Sequence, residues 1–150
     1  VESAVVFGSA KSSIISDGEA DVLLGFEPSE TLRAINKCNS NTVVITNLSR
    51  IPSFTVTLGK SVYPDLDRLQ DLIRSKIKHL IAFNAADLAK QAGNILSVNI
   101  VLLGALIQTG ILPLSANSVK EAIQTKTKKS FVESNLKAFE LGFATAKELG

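Results

Sequence analysis

Cysteine and histidine are nearly absent from this chain of 150 residues, which contains one of each, Cys38 and His79. A single cysteine excludes an intramolecular disulfide and fits a reducing compartment. It also excludes an iron–sulfur cluster held by this chain alone, since such a cluster takes about four cysteine ligands. One cysteine and one histidine are too few for a zinc site built from these two residue types. We therefore predict that both residues are structural and that the chain itself holds no metal.

Long apolar runs and a methionine start are missing too. The longest apolar stretch, residues 95–107, is much shorter than the roughly 20 residues that span a bilayer, so we predict a core helix and no membrane contact. No charged leader followed by an apolar segment opens the sequence, which favours a cytoplasmic protein. Methionine is absent even from position 1, and VESAVVFG begins as though inside a strand. We therefore expect that a natural start is missing.

A strong charge of one sign and the common catalytic motifs are likewise lacking. The net charge is +2, from 16 Lys and Arg against 14 Asp and Glu, which predicts no nucleic-acid partner. The densest basic run, Lys126–Lys129, is interpreted as a solvated stretch between helices. There is no G-x-S-x-G elbow, no phosphate-binding P-loop and no G-x-G-x-x-G turn. We therefore assign no catalytic residue and leave any cofactor-binding residue unknown.

The apolar pattern predicts strands and helices in alternation. Near-continuous apolar runs predict buried strands at ADVLLGFE, NTVVITNL and HLIAFNA, and the alternation in SFTVTLG predicts an edge strand. SAVVFG and KSSIIS predict a hairpin. Helical spacing and capping signals predict helices after Pro28, from Asp65, from Ala85, from Asn94, from Ser118 and around Val132 to Phe143. The predicted fold is a three-layer, Rossmann-like α/β domain, with a mostly parallel or mixed sheet, helices on both faces and a helical C-terminal third.

Three predicted strands are each followed by residues that could form a binding surface at one edge of the sheet. Phe26, Glu27 and Pro28 follow the first strand, Asn47, Ser49 and Arg50 the second, and Asn84 the third. Partners and ligands meet open α/β sheets at the carboxyl ends of strands, so the first six residues are our candidate edge. Glu27 is expected to face outward beside Phe26, while Pro28 leads into a helix capped by Ser29. The alternative is that Pro28 only starts this helix and that Arg50 only caps its own loop.

The order of five segments is more informative than any single residue. They are GEADVLLGFEPSETLRAI, VVITN, TVTLG followed by YP, GNILSVNIVLLGALIQTGILPLS and VESNLKAFELGF, and they span Gly18 to Phe143. In this order they resemble the blocks of gamma-type subunits of the 2-oxoacid:ferredoxin oxidoreductase family. Within that family they are most similar to the beta subunits of the indolepyruvate subgroup.

This resemblance implies a complex that decarboxylates a 2-oxoacid, such as indolepyruvate or another aryl pyruvate, on thiamine diphosphate. Electrons pass through iron–sulfur clusters to ferredoxin, and the acyl group passes to coenzyme A. The chain lacks the cysteines for clusters, and it has no G-D-G thiamine motif because Ser16 precedes Asp17 and Gly18. Thiamine diphosphate, magnesium and the clusters are therefore expected on a large partner subunit.

The chain would then be a docking and gating subunit that is not catalytic alone. We take the candidate edge as its contact surface with the large subunit or coenzyme A, with Arg50 available to pair with a carboxylate or phosphate. Family members begin with a glycine-rich strand–turn–helix that is not found here, so residues 1–150 are expected to be one gamma-type domain without its native N-terminal βα segment. Two alternatives stay open: a stand-alone Rossmann-like module that binds a small molecule or nucleotide, and a structural dimerisation domain.

Overall fold

Three parallel strands form the centre of the molecule. A computed structural model describes residues 2–49, 62 and 64–150. Within these ranges, β1 (Ala20–Gly25), β2 (Cys38–Asn47) and β3 (His79–Phe83) form one sheet in that order. Leu23, Val44 and Leu80 are neighbours in its register. The three apolar runs thus form parallel strands as predicted, whereas the edge strand predicted for SFTVTLG lies outside the described residues.

Helices cover both faces of this sheet. The α-helices in the described ranges are α1 (Pro28–Arg33), α2 (Leu66–Arg74), α3 (Ala85–Ala92), α4 (Val98–Gln108), α5 (Ala116–Lys126) and α6 (Lys129–Leu149), and short 3-10 helices lie at Ile35–Lys37 and Ile95–Ser97. Val44 points to one face and packs with Ile35 and Ile73, beside α1 and α2. Ile45 points to the other face and packs against α3, α4 and α6. Two covered faces confirm the predicted α/β fold with a helical C-terminal part, and they explain why these strands are apolar on both sides.

Two glycines let α4 and α6 cross in close contact. A Cβ atom at Gly104 would meet the carbonyl oxygen of Phe139, and one at Gly142 would meet the carbonyl oxygen of Val101. The two backbones therefore touch where larger residues would hold them apart. Helix α5 adds a further apolar cluster against both helices. Among the described residues, no helix is both long and apolar enough to cross a membrane.

Two local predictions were wrong. SAVVFG and KSSIIS form neither strand, because residues 2–19 contain no helix or strand in the structure. Val5 and Ile14 are largely exposed, and a two-stranded hairpin that buries no apolar face is marginal in water. Helix α5 begins at Ala116 rather than at Ser118. Its cap is Ser115, which has extended backbone and accepts a hydrogen bond from the Ser118 backbone N–H at 3.1 Å.

The residues just before β1 are tied to the start of β2. The Lys37 ammonium donates to the Ile15 carbonyl at 3.0 Å and lies 3.1 Å from an Asp17 carboxylate oxygen. Hydrogen bonds from Lys37 and Asn36, together with the Lys37 charge, lower the pKa of Asp17. Burial raises the pKa of the Cys38 thiol, which favours its protonated, less reactive form. Cys38 packs beside the Val44 cluster, in keeping with a structural role.

Candidate functional site

The carboxamide of Asn47 joins the ends of all three strands. Its Nδ2 donates to the Phe26 carbonyl at 3.1 Å, just after β1. Its Oδ1 accepts from the backbone N–H of Ser49 at 3.1 Å and of Ala85 at 2.9 Å, just after β2 and β3. Asn47 is only 1% exposed. The structure therefore brings the predicted strand ends together, but it places Asn47 inside the edge rather than on its surface.

Ser49 and Asn84 extend this edge outward. The Ser49 hydroxyl donates to Asn84 Oδ1 at 2.6 Å, and the Leu48 backbone N–H donates to the Phe83 carbonyl at 2.9 Å. Asn84 also caps α3, because its Oδ1 accepts from the Asp87 backbone N–H at 3.1 Å. The polar side chains after β2 and β3 are thus hydrogen-bonded to each other at an exposed part of the edge.

Glu27 faces inward, contrary to the outward orientation expected from the sequence. It is only 7% exposed, and its Oε2 accepts from the Glu30 backbone N–H at 3.0 Å and from the Ser29 hydroxyl at 2.6 Å. Glu27 therefore caps α1 in the place predicted for Ser29, and Ser29 only supports the cap. Its Oε1 is buried without a hydrogen-bond partner among the described residues. The local reason is Pro28, which occupies the first helical position and leaves the cap to the residue before it.

Replacing Glu27 by alanine should lower the free energy of unfolding by about 1 kcal/mol, the usual cost of losing a helix cap. Chemical denaturation of the purified chain measures this loss. Ser29→Ala is the matched control, because it removes the hydroxyl that donates to Glu27 but keeps the carboxylate that caps α1. A larger loss for Ser29→Ala than for Glu27→Ala would contradict the cap assignment.

Phe26 is the large apolar residue that this edge exposes within the described part of the chain. It is 48% exposed, whereas Pro28 beside it is fully buried. Ser49 is half-buried. Arg50, the last of the six candidate residues, lies outside the described residues. Within the described residues, the surface that this edge offers to a partner includes the Phe26 ring and the Ser49 and Asn84 side chains.

Sequence reasoning missed the contact behind Phe26. The Thr31 hydroxyl donates to the Glu27 carbonyl at 2.8 Å and lies 2.7 Å from the Thr46 hydroxyl, so a buried pair of threonines joins α1 to β2. A Cβ atom at Gly25 would collide with the Thr31 side chain. The signal that could have revealed this contact is a glycine at the end of an otherwise bulky strand, since such a glycine often marks a close backbone approach.

The donor atoms of this chain do not fit an iron–sulfur cluster. Cys38 is its one thiol and lies half-buried among apolar side chains. In the described ranges, no group of three His, Cys, Asp or Glu side chains is placed to hold a metal ion. The Phe26 side chain and the polar side chains of Ser49 and Asn84 give the edge apolar contact and hydrogen bonds with which to hold a partner or ligand.

These features define an open parallel α/β domain that presents an ordered polar edge and an exposed aromatic ring at the carboxyl ends of its strands. Open α/β domains bind ligands at the carboxyl ends of their strands. Comparison with known families matches residues 1–145 to "Pyruvate ferredoxin/flavodoxin oxidoreductase". The chain therefore belongs to this family, which confirms the family predicted from the five sequence segments.

Two relatives carry the same name, "Indolepyruvate oxidoreductase subunit IorB". The protein from Pyrococcus horikoshii is 41% identical over 138 residues, which cover 91% of this chain and 68% of the relative. The protein from Methanothermobacter thermautotrophicus is 37% identical over 148 residues, which cover 99% of this chain and 76% of the relative. The chain is thus an oxidoreductase subunit, as predicted, and spans about two thirds to three quarters of these proteins.

A solved structure supports the same assignment. The gamma subunit of a keto/oxoacid ferredoxin oxidoreductase from Geobacter sulfurreducens aligns with a TM-score of 0.62 and 27% identity. The alignment covers 90% of this chain and 69% of that subunit. The described fold is therefore that of a gamma-type domain.

Proposed function

We propose that the chain serves as the B subunit of an indolepyruvate:ferredoxin oxidoreductase and that its candidate edge docks onto a large subunit. That subunit would hold thiamine diphosphate, magnesium and the iron–sulfur clusters. The complex would decarboxylate an aryl pyruvate, transfer the acyl group to coenzyme A and pass two electrons to ferredoxin. The names of the relatives support the substrate, and the single thiol of this chain supports a division of labour in which the redox centres lie elsewhere.

The exposure of Phe26 is the observation that carries the docking proposal. Phe26 is 48% exposed although its carbonyl is hydrogen-bonded and the next residue is a buried cap. Aromatic side chains dominate the binding energy of many interfaces, particularly where they enter a pocket of the partner. Ser49 and Asn84 lie at the same edge and can supply the hydrated polar rim that surrounds such an anchor.

Replacing Phe26 by alanine should weaken binding to the large subunit about tenfold, the effect of an interface aromatic worth roughly 1.4 kcal/mol. The dissociation constant between the purified subunits measures this change. Phe131→Ala is the matched control, because Phe131 is 40% exposed but lies on α6, in the helical layer behind the sheet. Equal affinity of the Phe26→Ala chain and the unmodified chain would show that this edge is not the docking surface.

Isolation of the native complex tests the wider proposal. The chain should copurify with a large subunit that contains thiamine diphosphate and iron–sulfur clusters, and the pair should reduce ferredoxin with indolepyruvate and coenzyme A. A thermal-unfolding series of the isolated chain with coenzyme A addresses the alternative module. Strong stabilisation by coenzyme A without any partner would favour a stand-alone binding domain over a docking subunit.

A further inference from the structure

The backbone ladder of the sheet stops just before the candidate edge. The last paired residues of β1 and β2 are Gly25 and Thr46, and those of β2 and β3 are Asn47 and Phe83. Phe26 therefore lies one residue beyond the ladder between β1 and β2. An exposed residue at such a place would ordinarily be free to change its backbone conformation, and ordering it on binding would cost conformational entropy.

Beyond the last ladder pair, the buried side chain of Asn47 holds the backbone of Phe26. Asn47 donates to the Phe26 carbonyl at 3.1 Å from behind, while its Oδ1 is held by the backbone N–H of Ala85 at 2.9 Å. Ala85 is the first residue of α3 and is fully buried, so it anchors the carboxamide to the core. The Phe26 backbone is thus fixed to β2 and α3, whereas its ring is left half-exposed.

We propose that Asn47 is a positioning residue that presents Phe26 to the partner subunit without touching that subunit itself. This inference rests on the proposed docking function of the edge. A contact residue that is held in its bound conformation before association loses less entropy on binding, so the affinity depends on the group that holds it. Asn47 is 1% exposed, which leaves it no direct contact with a partner that docks onto the surface described here.

The test variant is Asn47→Asp, which keeps the size of the side chain. Its oxygens can still accept from Ser49 and Ala85, but an ionised carboxylate cannot donate to the Phe26 carbonyl and repels it. Thr42→Val is the matched control at the opposite end of the sheet. Thr42 is also 1% exposed, and its hydroxyl donates to the Ala20 carbonyl at 2.6 Å, so it too joins β1 to β2.

The dissociation constant for the large subunit and the melting temperature of the isolated chain are measured for both variants. Asn47→Asp should weaken binding about tenfold, because the Phe26 carbonyl loses its hydrogen bond to Asn47. Thr42→Val should lower the melting temperature about as much as Asn47→Asp does. It should change the dissociation constant by less than about twofold, because it loosens the opposite end of the sheet. Equal losses of affinity in the two variants would reduce Asn47 to a purely structural residue and overturn the proposal.

A double variant separates this inference from the docking proposal. If Asn47 acts through Phe26, Asn47→Asp should weaken binding no further in a chain that already carries Phe26→Ala, whereas independent effects would multiply. Additive losses of binding energy would overturn the positioning role even if Phe26→Ala alone confirmed the docking edge. If the Asn47→Asp chain does not fold, Asn47→Ser, which shortens the side chain without adding a charge, is measured against the same control with the same criteria.

Discussion

Replacing Gly142 by alanine should destabilise the chain by about 3 kcal/mol, because the new methyl group would overlap the Val101 carbonyl at the crossing of α4 and α6. Alanine is favoured over glycine inside a helix by about 1 kcal/mol, which opposes this loss. The steric term wins because the obstacle is main chain, which cannot rotate away as a side chain can. Relief therefore requires the two helices to separate, and the packing of the Ile45 face against them weakens.

Thermal and denaturant unfolding of the purified chain measure this effect. A loss of about 3 kcal/mol corresponds to a fall of roughly 6–12 °C in melting temperature for a domain of this size. Ala144→Ser is the matched control, because it also adds one heavy atom to α6 but at an exposed position. The control should change the free energy of unfolding by less than about 0.5 kcal/mol. An equal melting temperature for Gly142→Ala and the unmodified chain would contradict the close crossing.

The reciprocal glycine gives an internal check on the same crossing. A Cβ at Gly104 would meet the Phe139 carbonyl, so Gly104→Ala should force apart the same pair of helices. Once one substitution has separated the helices, the second finds space already open. The loss in the double variant should therefore be smaller than the sum of the two single losses.

The helices that make this crossing could be predicted from the sequence, but the crossing itself could not. The repeat of Val132, Leu136, Phe139 and Phe143 correctly indicated α6, and the apolar stretch from Asn94 to Thr109 indicated α4. Periodicity shows which face of a helix is apolar. It does not show which helix that face meets, and it gives no reason to select Gly142 from the other glycines. Contact between backbones is a property of the tertiary arrangement.

The candidate edge shows the same division between local and tertiary information. The strand ends were found from the sequence because parallel strands place their carboxyl ends at one edge, and Asn47, Ser49 and Asn84 do meet there. The sequence did not predict which of these residues are buried. From the sequence we expected Glu27 to be exposed, but in the structure it faces inward and caps α1. The residues that hold this edge were therefore harder to predict than the residues that form it.

The second large effect is expected at Gly25, where α1 approaches the end of β1. Replacing Gly25 by alanine should cost about 2 kcal/mol, because the new Cβ would overlap the Thr31 hydroxyl and lie 2.9 Å from the Thr31 Cβ. A flexible side chain could move aside, but Thr31 is branched at Cβ and buried. Its hydroxyl is held by the Glu27 carbonyl at 2.8 Å and faces the Thr46 hydroxyl at 2.7 Å.

A double-mutant cycle identifies Thr31 as the obstacle to the Gly25 substitution. Thr31→Ala alone should cost about 1–2 kcal/mol, because it leaves the buried Thr46 hydroxyl with only a long contact to the Asn47 carbonyl at 3.5 Å. The Gly25→Ala, Thr31→Ala chain should then be about 1 kcal/mol more stable than the sum of the two losses predicts, since the group that blocks the methyl is gone. Gly25→Ala combined with Thr42→Val is the control pair, because Thr42 ties the strands at the other end of the sheet, and its two losses should add. Denaturant unfolding gives the coupling energy of each cycle. Equal coupling energies would show that Gly25→Ala weakens the sheet as a whole, and that contact with α1 is not the reason for a glycine at the end of β1.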